Sequence, residues 1–304
     1  MMTRRRCRST HRDRIEQQER RSPSACLGAV AFGRVRVVRI GVKAGQWGWS
    51  FEELLAAWTK AEAEGFDLLS CFDHVSAAPG GNAAWDAPTL LAAMAGATSR
   101  IRLAVHVLNV SLRPPLLLAG QLAVAQASSR GRLEVGLGTG SWHLARHDHR
   151  VAGVPLPPFA ERVRRLEACC RALPALWRGE TVSDDVLGLD EASLGPLGLE
   201  PPPIVVGGTS DRVLAVAAAH ADAWNASSVE AGRFRELAGR LSELSSDNPV
   251  ERQVQIWLRE VGLDGARDAR DRYEAAGVDT LLFVLDEERD PDTIARLAAA
   301  TRPA

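Results

Sequence analysis

Arg132 to Gly140 reads RLEVGLGTG, and Pro203 to Thr209 reads PIVVGGT. Both are short apolar runs that stop in glycines. Each is too short for a helix and fits a strand buried on both faces, as in a parallel sheet. Glycines at the carboxyl end let a backbone or a ligand approach where a side chain would obstruct. Two such strands in one chain point to a ligand site at the carboxyl edge of a parallel sheet. For either alone, an ordinary tight turn is the plainer reading.

The same alternation continues on both sides. Val35–Val42 reads as a first strand. Ser50 opens a helix, Glu53 completes a capping box, and Leu54, Leu55, Trp58 and Ala61 supply an apolar face. Gly65 ends that helix. The strand Phe66–Phe72 follows and runs into Asp73 and His74. Pro88 sits in the first turn of a helix carrying Leu90, Leu91 and Met94. The third strand is Ile101–Leu108, and Pro114 with Pro115 starts the next helix. Arg132–Gly138 is the fourth strand.

A long helix is then expected over Phe159–Arg178, kinked at Pro174. Leu187–Pro203 reads as a loop long enough to be a lid. Pro203–Gly208 makes the fifth strand, and Thr209 or Ser210 caps a helix ending near His220. Ala223–Ala226, Val254–Val261 and Val278–Leu285 give the remaining strands. Helices centred on Phe234–Leu244, through Tyr273 to Gly277, and from Asp290-Pro291 onward complete the pattern. Eight strand–helix pairs in about 265 residues are the signature of an α/β TIM barrel. The competing open doubly wound sheet lacks its fingerprint, since the first turn reads KAGQWGW and contains no GxGxxG.

Among the 304 residues, 46% are hydrophobic and the net charge is −1, so the core is large and nothing global points to nucleic acid or a membrane surface. No apolar run reaches bilayer length and no signal-peptide pattern is present. The five cysteines (Cys7, Cys26, Cys71, Cys169, Cys170) show neither CxxC spacing nor a disulfide framework, which suits a reducing cytoplasm. Met1 to Arg21 holds eight arginines against three acids, too polar to fold. Residues 1–33 are therefore expected to be a disordered extension and 34–304 the barrel. A nucleic-acid arm would need interleaved aromatics, which this extension lacks.

In a barrel the active site lies at the carboxyl ends of the strands. That rule selects Asp73 and His74, then His106, Val107 and Asn109, then Gly138, Thr139 and Gly140 running on to Trp142. From the later strands it selects Gly207, Gly208, Thr209 and the pair Trp224-Asn225. His74 beside a carboxylate suits proton exchange near neutral pH; the alternative is a histidine hydrogen-bonded for structure. Gly207-Gly208-Thr209 before a helix suits an anion, most simply a phosphate. His143 and His147 stand four apart, as ligands on a helix would, but the Glu of HExxH and a third ligand are missing, so no metal is expected. Trp47, Trp49, Trp58 and Trp177 read as core or rim packing rather than a base-stacking platform.

The segments EAEGFDLLSCFDHV, IRLAVHVLNVSLRPPLLLAGQLAVAQASSRGRLEVGLGTG, RVRRLEACCRALPALWRGETV and PPIVVGGTSDRVLAVAAAHADAWN, with GVDTLLFVL near the carboxyl end, resemble the luciferase-like monooxygenase family. The likeness is to its branch that uses the deazaflavin coenzyme F420. That resemblance implies a TIM barrel with a deazaflavin, or alternatively FMN, across the strand ends. It places the cofactor phosphate on Gly207, Gly208 and Thr209, and a bulge or cis peptide at His106–Asn109 beneath the ring. Space beside the ring is implied at Gly138–Gly140, and a proton-transfer role for His74 with Asp73 as its pair.

The chain departs from the pattern at Ser141, where a related dehydrogenase branch carries a glutamate, and at Gln126, Pro114 and Asp148. The expected activity is hydride transfer between F420 and a small organic substrate held against Trp142 and the loop before Pro203. Arg146, Arg150 and Arg212 are expected to meet the acidic tail of F420. The alternatives are an FMN monooxygenase fed by a separate reductase, and a cofactor-binding barrel without turnover, which Ser141 motivates. The resemblance also implies a homodimer.

Overall fold

The computed structural model describes residues 38–44, 46–75, 84–140, 144–245, 249–286 and 288–302. The expectations for the amino-terminal extension and for Ser141, Trp142 and His143 lie outside them. Ten strands are present among these residues: β1 Arg39–Ala44, β2 Leu68–Cys71, β3 Arg102–Asn109, β4 Leu133–Gly138, β5 Val182–Asp184, β6 Leu189–Ala192, β7 Ile204–Gly207, β8 Ala223–Ser227, β9 Glu251–Trp257 and β10 Thr280–Leu285. The helices are α1 Phe51–Glu64, α2 Ala87–Ala97, α3 Pro115–Ser129, α4 Ala145–Val151, α5 Phe159–Trp177, α6 Asp211–His220, α7 Ala231–Leu244, α8 Leu258–Ala275 and α9 Pro291–Thr301. Eight strands close a barrel in the order β1-β10-β9-β8-β7-β4-β3-β2, and every neighbouring pair is parallel. The protein is thus the TIM barrel that the alternation implied.

Local chemistry sets the ends of the elements. Ser50 and Glu53 cap α1 reciprocally, the Ser50 amide donating to Glu53 Oε2 at 2.7 Å and the Glu53 amide to Ser50 Oγ at 3.1 Å. Gly65 ends α1 at a φ of 84°, a conformation that favours glycine. Leu54, Ala57, Trp58 and Ala61 are buried against the sheet, whereas Leu55 is exposed, one position off the apolar stripe. Glu62, on the last turn of α1, accepts the backbone amides of Ser99, Arg100 and Ile101 at 2.6 to 3.0 Å. This ties α1 to the chain leading into β3.

Three expectations are corrected. The first strand runs to Ala44 rather than ending at Val42, which puts Lys43 inside the barrel. The strand expected to reach Val261 ends at Trp257, and Leu258–Val261 already belong to the first turn of α8. The Leu187–Pro203 lid is overturned: Leu189–Ala192 is the second strand of an antiparallel hairpin with β5. Helices of a barrel return antiparallel to the strands, so the chain leaving α5 lands at the amino-terminal face. Gln126, near the end of α3, confirms this by donating to the Glu200 carbonyl at 2.9 Å. The segment supports the underside of the barrel and cannot cover the strand ends.

Candidate active site

The carboxyl ends of the strands surround a cavity of about 720 Å³, within the size range of small-molecule and cofactor sites. Its shape begins with β3. The His106–Val107 peptide is cis, and the β3–β4 pairing shifts register between Val105 and Leu108. Val107 thereby turns its side chain toward the neighbouring strands, where the glycines lie. A Cβ on Gly207 would stand 2.7 Å from Val107 Cγ1, and one on Gly136 2.9 Å from the same methyl. One on Gly138 would overlap Val107 Cγ2, and one on Gly140 would overlap the Asn109 amide. Gly138 and Gly207 therefore make room for Val107, Gly140 for Asn109, and Gly136 chiefly for the Val105 carbonyl, which its Cβ would overlap. Thr139 and Gly140, expected beside a ring, line the cavity next to Val107.

His74 lies at the wall of the cavity. Its Nδ1 is 2.7 Å from Asp148 Oδ2, and both side chains are at least nine-tenths buried. With Nδ1–H donated to the carboxylate, any proton exchange runs through Nε2. The Trp47 ring packs against the imidazole at 4.5 Å and stacks on Phe72 at 5.3 Å. Asp73, paired with His74 in the sequence expectation, serves a different purpose. Its carboxylate accepts the Asn109 amide at 2.8 Å and forms an ion pair with Arg113 at 2.8 Å. Asp73 therefore holds the end of β3 in place, and Asp148 is the acid that His74 meets.

The short helix α4 carries both halves of this arrangement. Asp148 holds His74, and the adjacent His149 Nε2 accepts from Asn109 Nδ2 at 2.9 Å while its Nδ1–H donates to the Pro155 carbonyl at 3.0 Å. Asn109 Oδ1 in turn accepts the Ser111 amide at 3.1 Å. His147 faces Arg150 on the exposed side. Among the described residues no cluster of three or more His, Cys, Asp or Glu is arranged to hold a metal.

Lys43 sits on the cavity floor, 1% exposed. Its Nζ donates to the His106 carbonyl at 2.5 Å and to Gln255 Oε1 at 2.7 Å, and lies 3.9 Å above the Phe72 ring. Burial pushes its pKa down to about 7. The His106 ring points below the cavity, where Nδ1 accepts from Ser70 Oγ at 2.8 Å and Nε2–H donates to Gln253 Oε1 at 2.8 Å. Burial, with Lys43 nearby, lowers its pKa to about 3, so it stays neutral. Its carbonyl, rather than its imidazole, serves the site. Trp224 faces away from the cavity, stacking on Phe234 at 5.4 Å and donating to the Gly208 carbonyl at 2.7 Å. Strand alternation then turns Asn225 inward.

Opposite His74 stands the amino end of α6. Ser210, not Thr209, is its cap, accepting from the Val213 amide. The Gly208 amide is already donated to the Asn225 carbonyl at 3.1 Å, so an anion here would be met by the amides of Thr209 and Ser210, at the positive end of the helix. Arg162 and Arg259 reach the cavity lining; Arg146, Arg150 and Arg212, expected to meet an acidic tail, do not.

A deazaflavin or flavin suits this donor set. The cavity has the volume, the α6 end offers amides to a phosphate, and Asn225 Nδ2 is a buried donor with no partner among the described residues. The family model described as luciferase-like monooxygenase matches residues 31–283. The chain belongs to that family. It is an oxidoreductase with likeness to F420-dependent members. It is 29% identical over 209 residues to an uncharacterised protein of Mycobacterium tuberculosis (strain ATCC 25618 / H37Rv), covering 67% of this chain and 69% of that one. It is 33% identical over 152 residues to the F420-dependent glucose-6-phosphate dehydrogenase of Beutenbergia cavernae, covering 49% of this chain and 44% of that enzyme. A solved F420-dependent secondary alcohol dehydrogenase in complex with an F420-acetone adduct superposes with a TM-score of 0.75 at 17% identity, over 88% of this chain and 99% of that one. At that identity the likeness shows the fold. No helix of the described residues is long and apolar enough to cross a membrane.

Sequence reasoning missed Lys43, Gln255 and Trp257 as cavity residues. A lysine between Val42 and Ala44 in a buried strand is itself a signal, because such a charge needs a reason to be there. Gln255 was hidden by the misplaced strand end.

Proposed function

We propose that the protein is an F420-dependent oxidoreductase that transfers hydride between the deazaflavin and a small organic substrate, with His74 handling the substrate proton. The observation that carries this reading is the buried His74–Asp148 pair at the wall of the strand-end cavity. The bound deazaflavin supplies the hydride chemistry. The Thr209 and Ser210 amides hold its phosphate, and Val107 with its glycine cradle fixes the wall beside it. Asp148 keeps His74 in one tautomer and stabilises its protonated form, so that Nε2 gives or takes a proton. Trp47, Phe72 and Trp257 form an aromatic wall that keeps water from that atom. Since the loop before Pro203 is at the far end of the barrel, the substrate rests on α4 and this wall.

A second reading, an FMN monooxygenase supplied with reduced flavin by a separate reductase, has one observation in its favour. The three arginines expected to receive the acidic tail of F420 are not in the cavity lining. Parallel titrations of the full chain with F420 and FMN separate the two: tighter F420 binding supports the first, tighter FMN binding the second. Binding of neither removes both. With the cofactor identified, His74→Ala is expected to abolish turnover on an alcohol and aldehyde panel while leaving cofactor affinity within about threefold, a difference of well under 1 kcal/mol. Unchanged turnover would exclude His74 as the proton-handling group.

A further inference from the structure

Lys43 is an ammonium in a nearly closed position with no carboxylate to balance it among the described residues. Such a charge is costly unless something compensates it. The group that faces it from β2 is its register partner Ser70, with the thiol of the adjacent Cys71 held protonated by burial at a pKa of about 12, and from β3 it is His106, which stays neutral. From β9 comes Gln255, and from β10 only Val284. None of these carries negative charge at neutral pH.

The polar contacts of Lys43 also set the orientation of its neighbours. Since Nζ donates to Gln255 Oε1 at 2.7 Å, the Gln255 amide NH₂ must face the other way, and it donates to Asn225 Oδ1 at 3.2 Å. That contact in turn leaves Asn225 Nδ2 as the donor, buried, unpartnered and lining the cavity. Lys43 spends two of its three N–H bonds on His106 and Gln255. With the ammonium also 3.9 Å above the Phe72 ring, the floor presents one open donor, Asn225 Nδ2, joined to the Lys43 cation by one amide relay across β1, β9 and β8.

We infer that Lys43, Gln255 and Asn225 form a reader for the acceptor-rich edge of a planar heterocycle, and that the Lys43 charge favours the electron-rich, reduced form of that ring over the oxidised one. This rests on the cofactor reading above. Hydride uptake raises the electron density of a deazaflavin or flavin, and a fixed cation beside the ring is a recognised way for a protein to tune that balance. Lys43 is then a residue that sets the redox preference of the site, distinct from the proton chemistry of His74.

The test is anaerobic titration of the full chain with F420 and reduced F420, and with FMN and dithionite-reduced FMN, followed by ring absorbance and fluorescence. The proteins compared are wild type, Lys43→Met, Lys43→Gln and Asn225→Ala. For the cofactor that wild type binds, the preference for the reduced form is expected to fall roughly tenfold or more in both Lys43 variants, the usual weight of a charged hydrogen bond. Asn225→Ala is expected to weaken both forms alike. Wild-type affinity for the reduced ring is expected to decline as pH rises above about 7, where Lys43 loses its proton, and that decline is absent in Lys43→Gln. Lys43→Gln keeps a polar side chain at the site, and the wild-type pH profile needs no variant, so a poorly folding Lys43→Met leaves the test intact. A wild-type preference that survives in the Lys43 variants, or a flat pH profile, overturns this inference alone. Failure of wild type to bind either cofactor overturns it together with the cofactor reading.

Discussion

Substituting Gly207 by alanine tests whether Val107 is the reason for the glycines. The added Cβ would stand 2.7 Å from Val107 Cγ1, 3.0 Å from Cγ2 and 3.4 Å from Cβ. Real carbon contacts lie near 3.5–4.0 Å, so the two methyls clash and the Cβ nearly fits. Val107 is β-branched and has few rotamers into which it can retreat. Overpacking of this kind costs about 1–3 kcal/mol, from which the gain of about 0.4–1 kcal/mol in unfolded-chain entropy on replacing glycine is subtracted. The expected net loss is about 1–2 kcal/mol by urea denaturation, and Gly138→Ala, where the overlap is closer, should lose at least as much. Val107→Ala alone removes two methyls from a half-buried position and should lose about 1 kcal/mol. In the double variant the clash is gone, so the loss should stay near that of Val107→Ala, a coupling of about 1 kcal/mol or more. Wild-type stability of Gly207→Ala, or strict additivity in the double variant, would refute the cradle.

Replacing Asp148 removes the partner of His74, and Asp148→Ala should lower kcat by roughly tenfold to hundredfold, the weight of a charge-assisted hydrogen bond, with cofactor affinity little changed. Steady-state kinetics with parallel cofactor titration checks this. Arg113→Ala leaves the fully buried Asp73 carboxylate without its cation and should destabilise the fold by about 3–5 kcal/mol in denaturant titration, while Asp73→Asn combined with Arg113→Leu should recover much of that. Glu62 loses a little to burial, but three backbone amides hold its carboxyl down at about 2. Because the folded pKa lies below the unfolded one, its contribution is full above about pH 4.5 and fades as pH falls toward 2. Glu62→Gln should therefore flatten stability against pH across that window, as read by thermal melts at a series of pH values.

The barrel was legible because buried parallel strands and amphipathic helices carry different periods, and eight repetitions of that contrast leave little freedom. His74, the Gly207–Thr209 corner and the His106–Asn109 irregularity were reachable from strand ends alone or from family likeness. Asp148 was visible as an unusual residue but not as the partner of His74, because its contact is made across 74 positions of chain by a short helix with no strong period. Lys43 lay one residue past the assumed end of its strand. The lid failed for a geometric reason: length marks a loop as a candidate cover, but only the direction of the preceding helix tells which end of the barrel it reaches. That the glycines of β4 also accommodate Val107 was not legible, because a bulge on the adjacent strand leaves no trace in their own sequence.

The helix α4 acts as a single buckle between the ends of two strands. Asp148 fastens it to His74 after β2, and the next residue, His149, fastens it to Asn109 at the end of β3. One turn of helix thus sets both the proton-handling histidine and the amide that shapes the Gly140 corner. A rotation of that turn cannot release one without the other, so anything bulky lodged against α4 would disturb acid–base chemistry and wall shape together. Selection acting on this seven-residue helix could alter substrate choice and proton handling in one step, while the barrel beneath stayed as it is.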